Sequence, residues 1–299
     1  MSETRRTFLQ SAAMAATAAA APAQGVPLVP RMKFFHAEIS RLVLGCNPFY
    51  GFAHYNGNLA ACMREFYTQE RVCAVLHQCQ SYGINAFNYV HIGRGPADWE
   101  RFVSEGGRMH LIVQVTEGVD SAMLVKNLKP LALQRQGEVV DNAWQQGRMD
   151  TVREWCKQAR DLGVLVGVGT HIPEVIAHIE EANWDVDFYS GCVYNRRRTL
   201  DEQKALLSGA LVEMPGELYL QADPPRMYRV MRQTRKPCFA FKILAAGRIP
   251  ERGVEQAFRT AFESLKPTDG VYVGMFPKFK DELRENAEIV RRILGSPAA

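Results

Sequence analysis

Thr68-Gln69-Glu70-Arg71-Val72-Cys73-Ala74-Val75-Leu76-His77-Gln78-Cys79-Gln80-Ser81-Tyr82-Gly83-Ile84-Asn85-Ala86-Phe87-Asn88-Tyr89-Val90-His91 reads as a helix running into a strand. Thr68 is a capping residue, and Val72, Val75, Leu76 and Cys79 recur at the period of one helical face. Gly83 supplies the left-handed stop that ends the helix. The run that follows from Ala86 is short, apolar and rich in strand-forming residues, and it closes on polar ones. A helix feeding a strand in this way is one unit of an alternating α/β chain.

The same pattern extends in both directions. Short runs rich in Val, Leu, Phe and Tyr begin near Leu42, Ala86, His110, Leu131, Gly163, Val186, Cys238 and Gly270, with helical periodicity between them. Pro173 opens the helix after the fifth run, where a missing N–H costs nothing. A last amphipathic helix is expected from about Lys278 to Leu294. Eight such units predict an α/β fold made of a single (β/α)8 TIM barrel. The two long excursions, residues 47–67 and 196–222, then belong to the C-terminal mouth, where loops carry the site.

Composition sets limits on function. With 47% hydrophobic and 23% charged residues the chain is an ordinary globular one. The formal charge of +4 is spread along the sequence rather than gathered into a stripe, so nucleic-acid binding is not expected. Seven cysteines, an odd number with no C-x-x-C spacing, read as small buried hydrophobes rather than a disulfide framework.

The N-terminus has its own character. Thr4-Arg5-Arg6-Thr7-Phe8-Leu9 precedes an alanine-rich stretch from Ser11 to Ala21, and Ala21-Pro22-Ala23 offers a cleavage triplet before Gln24. This resembles a twin-arginine signal. The resemblance implies a signal peptide over residues 1–23, a barrel domain over 24–299, recognition by the twin-arginine translocation machinery, and a periplasmic or other extracytoplasmic destination. The stretch is too short and too alanine-rich for stable membrane insertion.

Strand ends converge on a barrel's mouth, which turns the pattern into a list of residues. After the first strand come Asn47, Tyr50 and His54; at the second, Asn88, Tyr89 and His91; at the third, Gln114 and Glu117. Gln134 and Arg135 follow at the fourth, Thr170 and His171 at the fifth, Tyr194 and Asn195 at the sixth, Lys242 at the seventh, Met275 and Lys278 at the eighth. Asn47, Tyr50, Asn88, Gln114, Gln134, Tyr194 and Asn195 are the substrate-binding set, because amides and phenols suit a small polyhydroxylated molecule. A barrel that holds a sugar without changing it would need no more than this.

Several segments resemble the aldo-keto reductases. Gly83-Ile84-Asn85-Ala86-Phe87-Asn88 looks like that family's second strand, and Gly163 to His171 with Asp187 to Asn195 like its fifth and sixth. Leu244-Ala245-Ala246-Gly247-Arg248 resembles the stretch after its seventh strand, and Val273-Gly274 through Glu285-Asn286 its phosphate-binding eighth loop and helix. The resemblance implies an oxidoreductase of small carbonyl or sugar-like substrates with a tightly held NADP, whose phosphates lie near Gly274, Met275, Lys278 and Asn286. The family's catalytic tetrad does not carry over: its positions fall on Asn88, Gly93, Gln114, and Gln134 or Arg135. Tyr89 or His91 would have to serve as the acid instead.

Two further chemistries are written in the same list. His91, Glu117 and His171, at three strand ends, are a possible ligand set for one divalent ion in a sugar isomerase, epimerase or lyase. Lys242 lies inside the apolar run Phe239 to Leu244, where desolvation lowers a lysine's pKa and an imine with a carbonyl substrate becomes accessible. The plainer expectation for Lys242 is an ion pair with Glu117 or an Asp. Arg196-Arg197-Arg198 reads as a solvated loop edge or as a meeting point for an acidic substrate, and the catalytic set is thus Tyr89, His91, Glu117, His171 and Lys242.

Overall fold

The computed structural model describes residues 28–207 and 217–295, so the expected signal peptide, residues 1–23, lies outside the described residues. The described chain opens with a feature the sequence reading passed over, an antiparallel hairpin of β1 (Arg31–Phe34) and β2 (Ala37–Ser40). Its Met32, Phe34 and Ile39 are buried against Val43, Ala86, Ile112, Ala132, Phe188, Phe239 and Tyr272. Phe34 meets Phe188 and Phe239 edge to face, each with ring centres 5.4 Å apart. The hairpin therefore closes the barrel floor with large apolar side chains.

Eight parallel strands form the barrel: β3 (Leu42–Gly45), β4 (Ala86–Val90), β5 (His110–Val115), β6 (Ala132–Arg135), β7 (Leu165–Thr170), β8 (Phe188–Cys192), β9 (Cys238–Phe241) and β10 (Gly270–Gly274). They pair in sequence order, and β10 pairs with β3 to close the ring. All eight runs expected from the sequence are barrel strands. The helix Gln69–Ser81 is capped by Thr68, whose hydroxyl accepts from the Arg71 N–H, and it buries Val72, Val75, Leu76 and Cys79 as its period requires. Pro173 occupies the first turn of the helix Pro173–Glu181. The last helix begins at Glu282, four residues later than expected, because Pro277 to Asp281 form the turn that leads into it.

Strand alternation sorts each side chain to one of two layers. Along β4, Ala86 points into the barrel, Phe87 and Tyr89 pack among the outer helices, and Asn88 faces the mouth. The larger apolar cluster thus lies between barrel and helices, while the smaller one fills the barrel itself. Among the described residues no helix is long and apolar enough to cross a membrane.

Candidate functional site

The C-terminal ends of the strands surround a cavity of about 460 Å³. Its polar lining comes from Asn47 and His54 after β3, Asn88 of β4, Gln114 of β5, Gln134 of β6, Lys242 after β9 and Tyr272 of β10. Phe241, Ile243, Leu244 and Phe276 make an apolar wall on one side. The Tyr272 hydroxyl donates to Gln134 Oε1 at 3.3 Å, and the Asn88 amide donates to the Ile112 carbonyl at 3.5 Å. The cavity is the right size for a small molecule and offers it mostly uncharged hydrogen-bonding groups.

Lys242 is the charged lining residue without a partner among the described residues, whereas Lys280 pairs with Glu251 at 3.0 Å and Glu282 accepts from the Phe276 N–H. Lys242 sits one residue past β9 with φ of 60°, where its carbonyl accepts from the Ala245 N–H at 2.8 Å and the chain folds back through left-handed Ala245 and Ala246. That conformation is rare for residues with a Cβ, and three lie together here. Among the described residues its ammonium makes no hydrogen bond and no ion pair. The ion pair with Glu117 or an Asp expected from the sequence is absent from the mouth as described. Burial, reinforced by the charge of Arg196, brings its pKa down from 10.5 to about 7.

Behind this cavity runs a chain of polar groups. Asp141, fully buried on the helix Gly137–Gln145, accepts from Thr170 Oγ1 at 2.6 Å, from the His171 backbone N–H at 3.2 Å, and from His171 Nδ1 at 2.6 Å. That bond fixes the tautomer: Nδ1 carries the proton and Nε2 accepts from Arg196 Nη1 at 2.9 Å. Burial holds the His171 pKa below its ordinary value despite Asp141. Arg196 next ion-pairs with Glu217, which also takes His54 Nδ1 at 2.8 Å and the Tyr219 hydroxyl at 2.6 Å. His54 Nε2 then accepts from the Asn47 amide at 3.2 Å. Desolvation, with Lys242 and Arg196 adding to it, drops His54 to about 2, so it is a neutral imidazole at the cavity wall.

The residues singled out in the sequence divide into those the cavity gathers and those it does not. Asn47, Asn88, Gln114, Gln134, Lys242 and Gly274 line it. Tyr89 is fully buried among the helices, with its hydroxyl 3.0 Å from His91 Nδ1, so neither stands where a mouth acid was expected. Tyr50 lies behind the wall near Gly95, and Tyr194 packs on Tyr219 with ring centres 5.0 Å apart. Asn195 belongs to a separate surface groove lined by Arg196, Arg197, Arg198 and Arg226. Those arginines are not a solvated edge: Arg198 ion-pairs with buried Asp223, and Arg197 reaches Asn142, Gln145 and Glu138.

The metal set is not assembled. His171 has both ring nitrogens engaged by Asp141 and Arg196, and His91 is turned to Tyr89. Among the described residues no group of three or more His, Cys, Asp or Glu is placed to hold an ion, and Glu117 has no part in such a group. Around the eighth loop, Met275 is buried and its carbonyl accepts from Tyr67, Lys278 Nζ lies 3.1 Å from Cys62 Sγ, and Asn286 is buried in the last helix. Glu217 and Tyr219 are the contributors that the sequence list lacked, while Asp141, which follows the fourth barrel strand and is expected from the sequence as a residue that could face the mouth, reaches it through Thr170 and His171.

Comparison with known proteins bears on the fold. No protein-family model matches the chain, and no curated protein sequence matches it. Among solved structures, a Pseudomonas aeruginosa protein named as a candidate aldo-keto reductase aligns with a TM-score of 0.59 at 14% identity, over 89% of this chain and 96% of its own. A truncated 3-deoxy-D-arabino-heptulosonate 7-phosphate synthase from Thermotoga maritima gives 0.51 at 11% identity, over 89% and 90%. A glycerol dehydrogenase from Gluconobacter oxydans gives 0.48 at 12% identity, over 92% and 98%. The chain shares its barrel fold with the first two. At such identities the likeness is one of fold, and one fold hosts many chemistries.

Proposed function

We propose that the protein is an enzyme of small, hydroxylated carbonyl compounds and that Lys242 is its reacting group. The observation that carries this is an amine, unpaired among the described residues, opening on a cavity lined mainly by amides and apolar side chains, with Lys280, Glu251 and Glu282 as its other charged groups. An amine titrating near 7 is about half free base at neutral pH. Its lone pair adds to the carbonyl carbon while the C=O electron pair moves to oxygen; proton transfer and loss of water then leave an iminium on Lys242. The iminium accepts the electron pair of a bond at the adjacent carbon, so cleavage or a proton shift follows, and water returns the free amine. Asn47, Asn88, Gln114 and Gln134 hold the substrate's hydroxyls, since each both donates and accepts.

The test is chemical trapping. Borohydride added with small hydroxylated aldehydes, ketones and oxo acids reduces the iminium to a stable secondary amine. Wild-type protein is expected to gain the mass of the reduced adduct, and Lys242→Met to gain none. A wild type that gains no mass from any of them contradicts the imine.

The second reading is an aldo-keto-type oxidoreductase, favoured by the barrel's likeness and by the apolar wall beside Gly274. The residues of the eighth loop do not fit a dinucleotide in their present arrangement. Glu282 takes the Phe276 N–H at 2.7 Å, and Lys280 is held by Glu251 and Glu285 at 3.0 and 2.7 Å. A pyrophosphate would meet carboxylates where it needs free donors. Titration of the protein with NADPH, followed by nucleotide fluorescence, decides this reading, and saturable binding would support it. The twin-arginine resemblance supports export of the folded barrel to the periplasm by the translocation machinery. Fractionation of cells, with Arg5 and Arg6 replaced by Lys as the control, tests that part.

A further inference from the structure

The cavity at the mouth is lopsided. Strands β4, β5 and β6 each give it one amide, Asn88, Gln114 and Gln134, and among the described residues β7 and β8 give it nothing. The rest of its lining comes from β9, β10 and β3, which are neighbours in the closed ring, and from the segments that follow them. That side is largely apolar. Leu59 and Met63 come from the helix Gly57–Phe66, Ile249 from the segment after β9, and Phe276 from the turn after β10. Phe276 meets Phe66 and Phe279 edge to face, with ring centres 5.3 and 6.1 Å apart, so the apolar wall continues from the interior to the surface. At its outer end Phe52 and Phe279 line the cavity while 42% and 78% exposed.

The charged groups of this side are already partnered: Lys280 with Glu251 and Glu285, and Glu282 with the Phe276 N–H. A hydroxylated group placed here would shed its water and find few free partners, whereas hydrocarbon is favoured against such a wall. Volume points the same way. About 460 Å³ is the liquid volume of about fifteen waters at roughly 30 Å³ each, well beyond what a triose fills. We propose that the substrate is amphipathic: a hydroxycarbonyl head, its carbonyl at Lys242 and its hydroxyls on Asn88, Gln114 and Gln134, joined to a hydrocarbon tail that lies along Phe276 toward Phe52 and Phe279. This rests on the reading of Lys242 as the reacting amine. The head is common to many compounds, so the tail is what this cavity selects, and a free sugar hydroxylated along its whole length is a poor substrate by the same logic.

A homologous series tests the inference: hydroxyacetone, 1-hydroxy-2-butanone, 1-hydroxy-2-hexanone and 1-hydroxy-2-octanone, each trapped with borohydride on wild type and on the double variant Phe52→Ser, Phe279→Ser. The reacting carbonyl is the same along the series, so the concentration giving half the maximal trapping rate reports the tail. It is expected to fall by up to about fourfold per methylene, and at least about tenfold from the first member to the last. In the double variant the fall is expected to be markedly shallower, and because both side chains are exposed their loss leaves the packed core in place. A half-maximal concentration that does not change with tail length, or one that falls as steeply in the double variant, overturns the apolar subsite while leaving Lys242 as the amine. Absence of any adduct overturns the imine itself. The subsite is then judged by calorimetry with 1,2-propanediol and 1,2-octanediol: tighter binding of octanediol that weakens in the double variant keeps it, and equal binding of the two, or none, overturns it.

Discussion

Replacing Lys242 with Met removes the charge while keeping a side chain of similar length, and the structure gives that change an unusual sign. In the unfolded chain the amine titrates near 10.5, and in the folded protein near 7. Below pH 7 both states are protonated, so the fold bears the whole cost of the buried charge. Between 7 and 10.5 the unfolded chain binds a proton that the folded one has released, and stability rises with pH. At 1.36 kcal/mol per unit the span amounts to at most about 5 kcal/mol. The Met variant has no such titration, so it is expected to be the more stable protein at pH 6 by several kcal/mol, with the gap closing as pH approaches 10. Urea denaturation of both proteins at pH 6, 8 and 10 reads the difference directly, because every other titrating group cancels. A variant less stable than wild type at pH 6, or a gap that stays constant with pH, would refute the argument.

Three further outcomes follow from the same geometry. The rate of borohydride trapping should climb with pH through about 7 and level off above it, since only the free amine of Lys242 adds to a carbonyl; a stopped-flow profile from pH 5 to 9 that is flat or falling would break the link between the amine and the reaction. Asp141→Asn leaves the shape intact but sets an amide against the donors of Thr170 and His171. It is expected to cost about 2 to 3 kcal/mol and to change the tautomer of His171, seen in its ring ¹⁵N shifts. Phe34→Ala opens a void in the barrel floor and should cost about 3 to 5 kcal/mol in a denaturant melt, while trapping at the mouth continues unchanged below the melt.

The barrel was legible because its signal is repetitive and local. Each strand run is short and apolar, each helix has its own period, and residues such as Thr68, Gly83 and Pro173 mark boundaries through nearest-neighbour chemistry. The hairpin from Arg31 to Ser40 carries an equally plain alternation, with Met32 and Phe34 buried and Arg31 and Lys33 exposed, but a count of parallel units has no place for it. Tyr89 was misplaced for a simple reason: period two puts Asn88 at the mouth, and its neighbour must then face the helices. The polar chain was harder to see. Glu217 reaches His54 across 163 residues, and nothing near Glu217 in sequence marks it as a partner. For Lys242 the apolar surroundings were visible in Phe239 to Leu244, whereas the lack of a counter-ion among the described residues depends on what the other loops bring to the mouth.

The central claim concerns the protonation of one amine, and site-resolved titration measures it. Lysine side chains labelled by ¹³C reductive methylation, with the Lys242 resonance assigned by its absence in Lys242→Met, can be followed by NMR from pH 5 to 11. The account predicts a Lys242 midpoint near 7, well separated from the surface lysines. A midpoint near 10.5 would mean a solvated or paired ammonium, and would contradict Lys242 as the reacting amine.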